Sequence, residues 1–155
     1  MLVSLDTITK LVLEQKLNSK KIVFTNGCFD IIHSGHIHYL TEAKKLGDVL
    51  IVGLNTDDSV RRLKGNNRPI NNQFYRAIVL SALKPVDFVV FFDEDTPINL
   101  IQLINPDVLV KGADYKIEEI VGSDYVLRNG GEVVTIKFIH DISTTEIINK
   151  LCNQK

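Results

Sequence analysis

The sequence is poor in the features that build disulfide-stapled or membrane-spanning proteins. It has two cysteines, Cys28 and Cys152, which form neither a CxxC pair nor a disulfide framework. Its longest apolar run covers residues 49–54, far fewer than the roughly 20 residues that a transmembrane helix needs. Near the start, Asp6 and Lys10 interrupt the stretch that a signal peptide keeps apolar. We therefore expect a soluble, reduced protein of the cytoplasm that does not interact with membranes.

Charge of one sign and aromatic side chains are also scarce. Lysine and arginine number 18 against 19 aspartates and glutamates, which gives a net charge of −1, and 7% of the residues are aromatic, with no tryptophan. Proteins that bind nucleic acids usually have a basic excess or an aromatic platform, so no nucleic-acid partner is expected. The 155 residues are 45% hydrophobic and 24% charged, which suits one globular domain that buries its own core.

Helical and strand patterns alternate along the chain. An amphipathic pattern predicts an N-terminal helix over 4–17, and the continuous apolar run 49–54 predicts a strand buried on both faces. The five predicted strands are 21–25, 49–54, 86–92, 107–110 and 132–138. The later predicted helices are 36–46, 73–83, 97–104, 123–128 and 145–151. The alternation predicts an α/β fold with a doubly wound five-stranded parallel sheet, which binds ligands at the carboxyl ends of its strands.

The strongest chemical signal, NGCFDIIHSGH, lies where the first long predicted helix follows the strand 21–25. His33 and His36 are three residues apart, so both rings can face one point at a helix start, and Gly35 leaves room there for a ligand. The helix N-terminus attracts anions. Two imidazoles above it suit a phosphorus centre whose oxygens gain charge during displacement. The alternatives are a polar N-cap cluster and a zinc site, and the zinc site lacks further ligands at the right spacing.

Two later segments are candidates for contacts with a nucleotide. Ser143, Thr144 and Thr145 open the last helix, where three hydroxyls and free N–H groups can hold the β- and γ-phosphates. An ordinary helix cap is the alternative. After the fourth strand, Gly112 lets a nucleotide approach the backbone and Asp114 can accept a hydrogen bond from a ribose or a base. A simple turn is the alternative for this segment.

A basic loop at 61–68 supplies cations between these segments. Lys64 and Arg68 are candidates to neutralise the triphosphate or the phosphate of an acceptor. Arg76, on the following helix, is a weaker candidate for the same phosphate contact. The alternatives are a solvated loop and an ordinary arginine on a helix surface.

The motif at 27–36 resembles the signature of the nucleotidylyltransferase superfamily, G-x-F-D-x-x-H-x-G-H, at every position. The resemblance implies a Rossmann-like fold and transfer of a nucleoside monophosphate from a nucleoside triphosphate to a phosphate-bearing acceptor, with release of pyrophosphate. It also implies that Cys28 and Phe29 contact the nucleotide and that the two histidines and Lys64 are catalytic. Mg²⁺ is expected with ATP, and Asp30 is a candidate ligand for it.

The wider pattern resembles one branch of that superfamily, the adenylyltransferases of D-glycero-β-D-manno-heptose 1-phosphate. The segments LIVGLNTDDSVRRLKG, PDVLVKGADY and ISTTEII carry this resemblance, which covers residues 20–152, the expected catalytic core. An N-terminal helix at 1–19 completes a single domain over 1–155. The branch implies transfer of AMP from ATP to the heptose 1-phosphate, giving ADP-heptose for the lipopolysaccharide core, by a homodimer. Many bacteria fuse this activity to a sugar kinase, and the chain length predicts the stand-alone form.

Other functions stay open on the sequence alone. The same chemistry can use CTP with glycerol 3-phosphate, or ATP with flavin mononucleotide. A nucleotide-sensing module without turnover is a different class, and the intact histidine pair argues against it. One position departs from the branch, because relatives usually have an acidic residue two positions before Arg76 and this chain has Phe74 there.

Overall fold

Six strands form one sheet in the part of the chain that the structure describes. The structure is a computed structural model that describes residues 1–113, 116–137 and 142–152. All neighbouring strands are parallel, in the order β1-β4-β3-β2-β5-β6. These strands are β1 (Leu2–Val3), β2 (Ile22–Gly27), β3 (Val49–Asn55), β4 (Phe88–Phe92), β5 (Val108–Gly112) and β6 (Glu132–Ile136). The predicted doubly wound parallel sheet is confirmed, with one strand more than expected.

The additional strand, β1, extends the sheet at one edge. It pairs with β4, where Leu2 lies opposite Val89 and Val3 lies opposite Val90. The N-terminal ammonium of Met1 holds the same edge, because it donates a hydrogen bond of 2.7 Å to the Asp87 carbonyl. Two residues are too few to show the apolar pattern from which a strand is predicted. The count of five strands was wrong for this reason.

Helices cover both faces of the sheet. Within the described residues they are α1 (Leu5–Leu17), α2 (Ser34–Lys44), α3 (Asp57–Lys64), α4 (Gln73–Ser81), α5 (Ile98–Ile104), α6 (Ser123–Arg128) and α7 (Thr144–Cys152), with a 3₁₀ turn at Ile117–Glu119. The six predicted helices are all present, with ends that differ by two residues at most. None of the described helices combines the length and the apolar character needed to cross a bilayer.

Helix α3 forms where the sequence pattern predicts only a polar stretch. Thr56 caps it, since the Thr56 hydroxyl accepts a hydrogen bond of 3.2 Å from the Ser59 backbone N–H. The first turn is acidic and the last turn is basic, which suits the helix dipole. Val60 is its one fully buried apolar residue, so no apolar period reveals the helix. The helix ends at Lys64, and its C-cap Gly65 has a φ of 92°, a conformation that favours glycine.

Two apolar clusters lie on opposite faces of the sheet. Successive residues of β2 alternate between them, with Phe24 in one cluster and Val23 in the other. In β3, Ile51 and Leu50 divide in the same way, and every residue of that strand is buried. A strand covered on both faces explains the unbroken apolar run in the sequence.

The order of the strands reverses between β2 and β5. The chain runs from β2 through β3 to β4 on one side, and then returns to place β5 and β6 on the other side of β2. Such a reversal opens a crevice at the carboxyl ends of the two adjacent strands. Here those ends carry Asn26 and Gly27 on β2 and Lys111 and Gly112 on β5.

Candidate active site

A pocket of about 530 Å³ opens at this crevice. The ends of three strands line it, through Gly27 of β2, Asn55 of β3 and Gly112 of β5. His36 of α2 and Thr144 of α7 face it from the helices. The volume lies within the range of roughly 300–1,000 Å³ that small-molecule sites occupy. Most of the site residues predicted from separate parts of the sequence therefore line one cavity; among the described ones, the exceptions are His33, Gly35, Arg76 and Ser143.

The rings of the two motif histidines are adjacent: His36 lines the pocket, and His33, which is not among the lining residues, packs against His36. Their ring centroids are 3.9 Å apart and the rings are inclined by 36°. His33 is the N-cap of α2, but its side chain makes no capping hydrogen bond. The Nδ1 atoms of His33 and His36 are buried and have no hydrogen-bond partner within the described residues. Unpaired buried polar atoms at a pocket are typical of a site that completes its hydrogen bonds with a ligand.

The surroundings of both rings favour the neutral form. Burial, followed by the neighbouring His33, lowers the pKa of His36 to about 4. Burial also lowers the pKa of His33. A neutral imidazole has one N–H donor, so the pair can donate to phosphate oxygens without placing a full charge in the empty pocket.

The backbone around the pair is shaped to admit the two rings. A Cβ at position 35 would lie 3.0 Å from Cε1 and Nδ1 of His33, so any larger residue there would require the His33 ring to shift by a few tenths of an ångström. The predicted contact of Gly35 with a nucleotide stays a prediction, and Gly35 is not among the residues that line the pocket. Phe29 has a φ of 44°, unusual for a residue with a side chain, and its ring centroid lies 5.3 Å from that of His36. Phe29 thus supports the His36 ring from the pocket wall.

At the start of α7, two of the three predicted hydroxyl residues face the pocket. Thr144 and Thr145 line it, and the Thr144 hydroxyl donates to the Ile31 carbonyl at 3.3 Å. Ser143 forms a capping box with Glu146: the Glu146 N–H donates to the Ser143 hydroxyl, and the Glu146 carboxylate accepts from the Ser143 N–H at 2.8 Å. The Ser143 side chain therefore serves the helix cap, which was the alternative for this segment.

The basic loop reaches the pocket through Lys64 and Arg68. Lys64 is exposed at the end of α3. Arg68 donates from Nε to Asp30 at 2.7 Å, with side chains only 17% and 1% exposed. The Asp30 carboxylate also accepts from the N–H groups of Ile70 and Asn71 at 2.8–2.9 Å. Asp30 thus ties the loop to the strand-end motif.

These contacts bear on the expected magnesium site. Both oxygens of Asp30 already accept hydrogen bonds, and one of them is paired with Arg68. In the described residues, no group of three or more histidine, cysteine or acidic side chains is arranged to hold a metal ion. Asp30 therefore does not fit the role of a magnesium ligand. A magnesium ion that accompanies ATP would instead be held mainly by the phosphates of the nucleotide.

Arg76 lies beneath the pocket rather than in it. Its side chain is fully buried and donates to the carbonyls of Asn71 and Cys28, at 3.0 and 2.7 Å, and to the carboxylate of Asp57 at 2.7 Å. Because the guanidinium is fully buried and Arg76 is not among the residues that line the pocket, the expected contact with a substrate phosphate is corrected to a structural role. Asp57, at the start of α3, supplies the carboxylate that Phe74 does not provide.

Two more of the predicted nucleotide contacts, Cys28 and Gly112, line the pocket. The Cys28 thiol lines the pocket 4.0 Å from the Asn55 amide oxygen, and burial raises its pKa, so it stays protonated. A protonated thiol suits a pocket wall and not a nucleophile. Gly112 lines the pocket as expected, and Asp114 lies outside the described residues.

Comparison with known proteins identifies the family. The family model for cytidylyltransferase-like proteins matches residues 24–150, which include the histidine motif and the start of α7. The chain belongs to the cytidylyltransferase-like family. This assignment confirms the resemblance to nucleotidylyltransferases that the motif carries.

Two curated relatives are more than 50% identical to the chain over most of its length. The Bifunctional protein HldE of Campylobacter jejuni serotype O:2 is 60% identical over 140 residues, which are 90% of this chain and 30% of that protein. The Bifunctional protein HldE of Marinomonas sp. strain MWYL1 is 58% identical over 135 residues, 87% of this chain and 28% of that protein. The chain thus spans less than a third of the length of these relatives.

A solved structure agrees with the fold of this family member. The crystal structure of the lipopolysaccharide core biosynthesis protein from Thermoplasma volcanium GSS1 superposes with a TM-score of 0.63 at 34% sequence identity. The match covers 77% of this chain and 96% of that protein. The overall fold is therefore shared with an experimental structure.

Some residues of this cytidylyltransferase-like site are not among the predicted site residues, although three of them lie within segments that carry the resemblance. Asn26, Asn55 and Lys111 line the pocket because they lie at the carboxyl ends of β2, β3 and β5. Polar residues at the ends of otherwise apolar predicted strands were the available signal. Glu119 lines the pocket from the 3₁₀ turn, and nothing in its local sequence indicates that position.

Proposed function

We propose that this protein transfers AMP from ATP to D-glycero-β-D-manno-heptose 1-phosphate, giving ADP-heptose and pyrophosphate for lipopolysaccharide core biosynthesis. The observation that carries the proposal is the adjacent pair of motif histidines, of which His36 lines a pocket of about 530 Å³ at the topological switch point. The identity of 60% with the Bifunctional protein HldE of C. jejuni and the match to a lipopolysaccharide core biosynthesis protein support this choice of acceptor.

In this proposal an oxygen of the acceptor's phosphate attacks the α-phosphorus of ATP in line. A bond forms from that oxygen to phosphorus, and the bond from phosphorus to the bridging oxygen of pyrophosphate breaks. No covalent enzyme intermediate is required, so positioning and charge stabilisation lower the barrier. His33 and His36 donate hydrogen bonds to the oxygens of the α-phosphate as negative charge builds on them.

The rest of the pocket holds the outer phosphates. Thr144 and Thr145 offer hydroxyl groups at the N-terminus of α7, where backbone N–H groups and the helix dipole favour anions. Lys64 is exposed at the pocket and is able to move onto the leaving pyrophosphate. Arg68 is held by Asp30 at the same wall and adds positive charge there. The nucleotide enters as its magnesium complex, which is the substrate form.

A pyrophosphate-release assay across nucleotides and acceptors tests the reaction. ATP and CTP are each paired with the heptose 1-phosphate, with glycerol 3-phosphate and with flavin mononucleotide, and omission of the acceptor measures hydrolysis. We expect the largest kcat/KM for ATP with the heptose 1-phosphate, and a product with the mass of ADP-heptose. A larger kcat/KM for CTP with glycerol 3-phosphate would replace the proposal with a cytidylyltransferase. No pyrophosphate with any pair would indicate a nucleotide-sensing module.

Two further properties remain predictions under this proposal. The expected homodimer is measured by light scattering of the purified protein at working concentration, where twice the mass of 17.5 kDa is the expected result. A cytoplasmic location follows from the use of ATP as a substrate, and fractionation of cells that express the protein measures it.

A further inference from the structure

Lys111 presents an ammonium group to the pocket without a negative partner among the described residues. It is the fourth residue of β5, it is partly buried, and it lines the pocket. Its Nζ donates a hydrogen bond of 2.5 Å to the amide oxygen of Asn26 on the adjacent strand β2. Over residues 1–113, 116–137 and 142–152, no carboxylate lies within ion-pair distance of Lys111. An ammonium has three N–H donors, so two remain for a ligand.

The other charged and titratable groups that the structure describes around the pocket do not supply the missing negative charge. Asp30 is paired with Arg68, Asp95 with Arg62 on α3, and Glu119 lies 4.0 Å from Lys116. The His36 ring is neutral, the Cys28 thiol is protonated, and Lys64 has the same sign as Lys111. Burial lowers the pKa of Lys111 to about 8.

We propose that Lys111 is a phosphate-binding residue whose ammonium donates to a phosphoryl oxygen of a substrate, while Asn26 fixes its direction. The inference rests on the proposed function, since both substrates of that reaction carry phosphate. The position supports it, because Lys111 and Asn26 flank the switch point between β5 and β2, where a doubly wound sheet binds its ligand. An anion there would supply the charge partner that the described part of the chain does not provide.

The competing explanation is that Lys111 only links β2 to β5. In that case the hydrogen bond to Asn26 adds stability, and the ligand does not sense the charge. The two explanations differ in what Lys111→Met does, because methionine keeps most of the length of the side chain and removes the charge. Lys111→Arg keeps a charge that does not titrate and serves as the matched control.

Binding measurements by calorimetry decide between them. The probes are ATP, adenosine, which has no phosphate, and the heptose 1-phosphate, each titrated into the wild type and both variants. We expect Lys111→Met to lower the affinity for a phosphate-bearing probe by roughly 10- to 100-fold, the range for a lost charge-assisted hydrogen bond. The affinity for adenosine should not change. Weaker binding of ATP assigns the contact to the nucleotide, and weaker binding of the sugar phosphate assigns it to the acceptor. Either result supports the proposal.

The pH dependence of the same affinity gives a readout that a structural link would not move. The wild-type affinity should fall as the pH rises above about 8, because Lys111 loses its proton there. The affinity of Lys111→Arg for the same probe should not fall over this pH range. Equal affinities of wild type and Lys111→Met for ATP and for the sugar phosphate, with a lower melting temperature as the only effect, would overturn the proposal. If wild type binds ATP through Lys111 but releases no pyrophosphate with the heptose 1-phosphate, the proposed function fails and this inference stands.

Discussion

Asp30 and Arg68 form a salt bridge of 2.7 Å that joins the histidine motif to the basic loop. The two residues are 38 positions apart in the chain, and the aspartate is almost completely buried. Because the same carboxylate accepts from two backbone N–H groups of the loop, the loop has one defined position at the pocket wall. Asp30 therefore acts as a positioning residue for the cations of the site.

The first prediction concerns this anchor. Asp30→Asn keeps the shape of the side chain but leaves the Arg68 charge without its partner. Its amide N–H₂ group would also face backbone N–H groups of the loop, and two donors cannot form a hydrogen bond. We expect a loss of about 3–5 kcal/mol in the free energy of unfolding, measured by urea denaturation. Glu42→Gln is the matched control, since its ion pair with Lys45 lies on the surface, and its urea midpoint should equal that of the wild type. An unchanged midpoint for Asp30→Asn would show that the loop is held by other contacts.

The second prediction separates a structural from a substrate role for Arg76. The shorter, single-headed side chain of Arg76→Lys would reach only one of the three acceptors that the guanidinium now serves. The substitution should therefore destabilise the fold by roughly 1–3 kcal/mol. Because the side chain does not face the pocket, the KM values for both substrates should stay within about twofold at a temperature where the variant is folded. A stable variant with a much higher KM for the acceptor would restore the substrate-phosphate role.

The third prediction tests the contact between Gly35 and the His33 ring. In Gly35→Ala the new Cβ would lie 3.0 Å from two atoms of that ring, so the ring must shift by a few tenths of an ångström. A misplaced donor weakens transition-state stabilisation, and we expect kcat to fall by roughly tenfold or more. KM for ATP should change less than kcat. Wild-type turnover in this variant would mean that the position of the His33 ring does not matter to the reaction.

The fourth prediction is the ionisation of His36. By NMR, its ring protons should titrate with a pKa of about 4 in the free protein. The pKa of His36 in the folded protein lies below the unfolded value of 6.5, so the free energy of unfolding should decrease progressively as the pH falls from 6.5 to about 4. Bound ATP should raise the pKa, since negative phosphate charge favours the imidazolium. A pKa near 6.5 in the free protein would contradict the buried position of the ring.

The sequence predicts the sheet and most helices because their apolar periods are local. The motif places the two histidines at a helix start, and the structure brings their rings together as expected. Helix α3 shows the limit, since one buried valine in eight residues leaves no period and only the cap and charges mark it. The edge strand β1 is likewise too short to be read from the sequence alone.

Pairings between distant residues could not be predicted from local patterns. Arg76 pairs with Asp57, which belongs to a helix that the sequence pattern does not reveal. Phe74 packs edge-on against Phe91 of β4, and this contact also depends on the tertiary fold. Lys111 looks in the sequence like an ordinary residue at a strand end. Only the strand order, with β5 beside β2, places its ammonium against Asn26 and in the pocket.

Turnover of three histidine variants tests the central claim most directly. His33→Ala and His36→Ala each remove one of the two donors proposed to contact the α-phosphate, and His38→Ala on the same helix α2 is the matched control. With ATP and the heptose 1-phosphate, we predict that kcat falls by roughly 10²- to 10³-fold in the first two variants and stays near the wild-type value in the third. Near-normal kcat for both His33→Ala and His36→Ala would contradict the account.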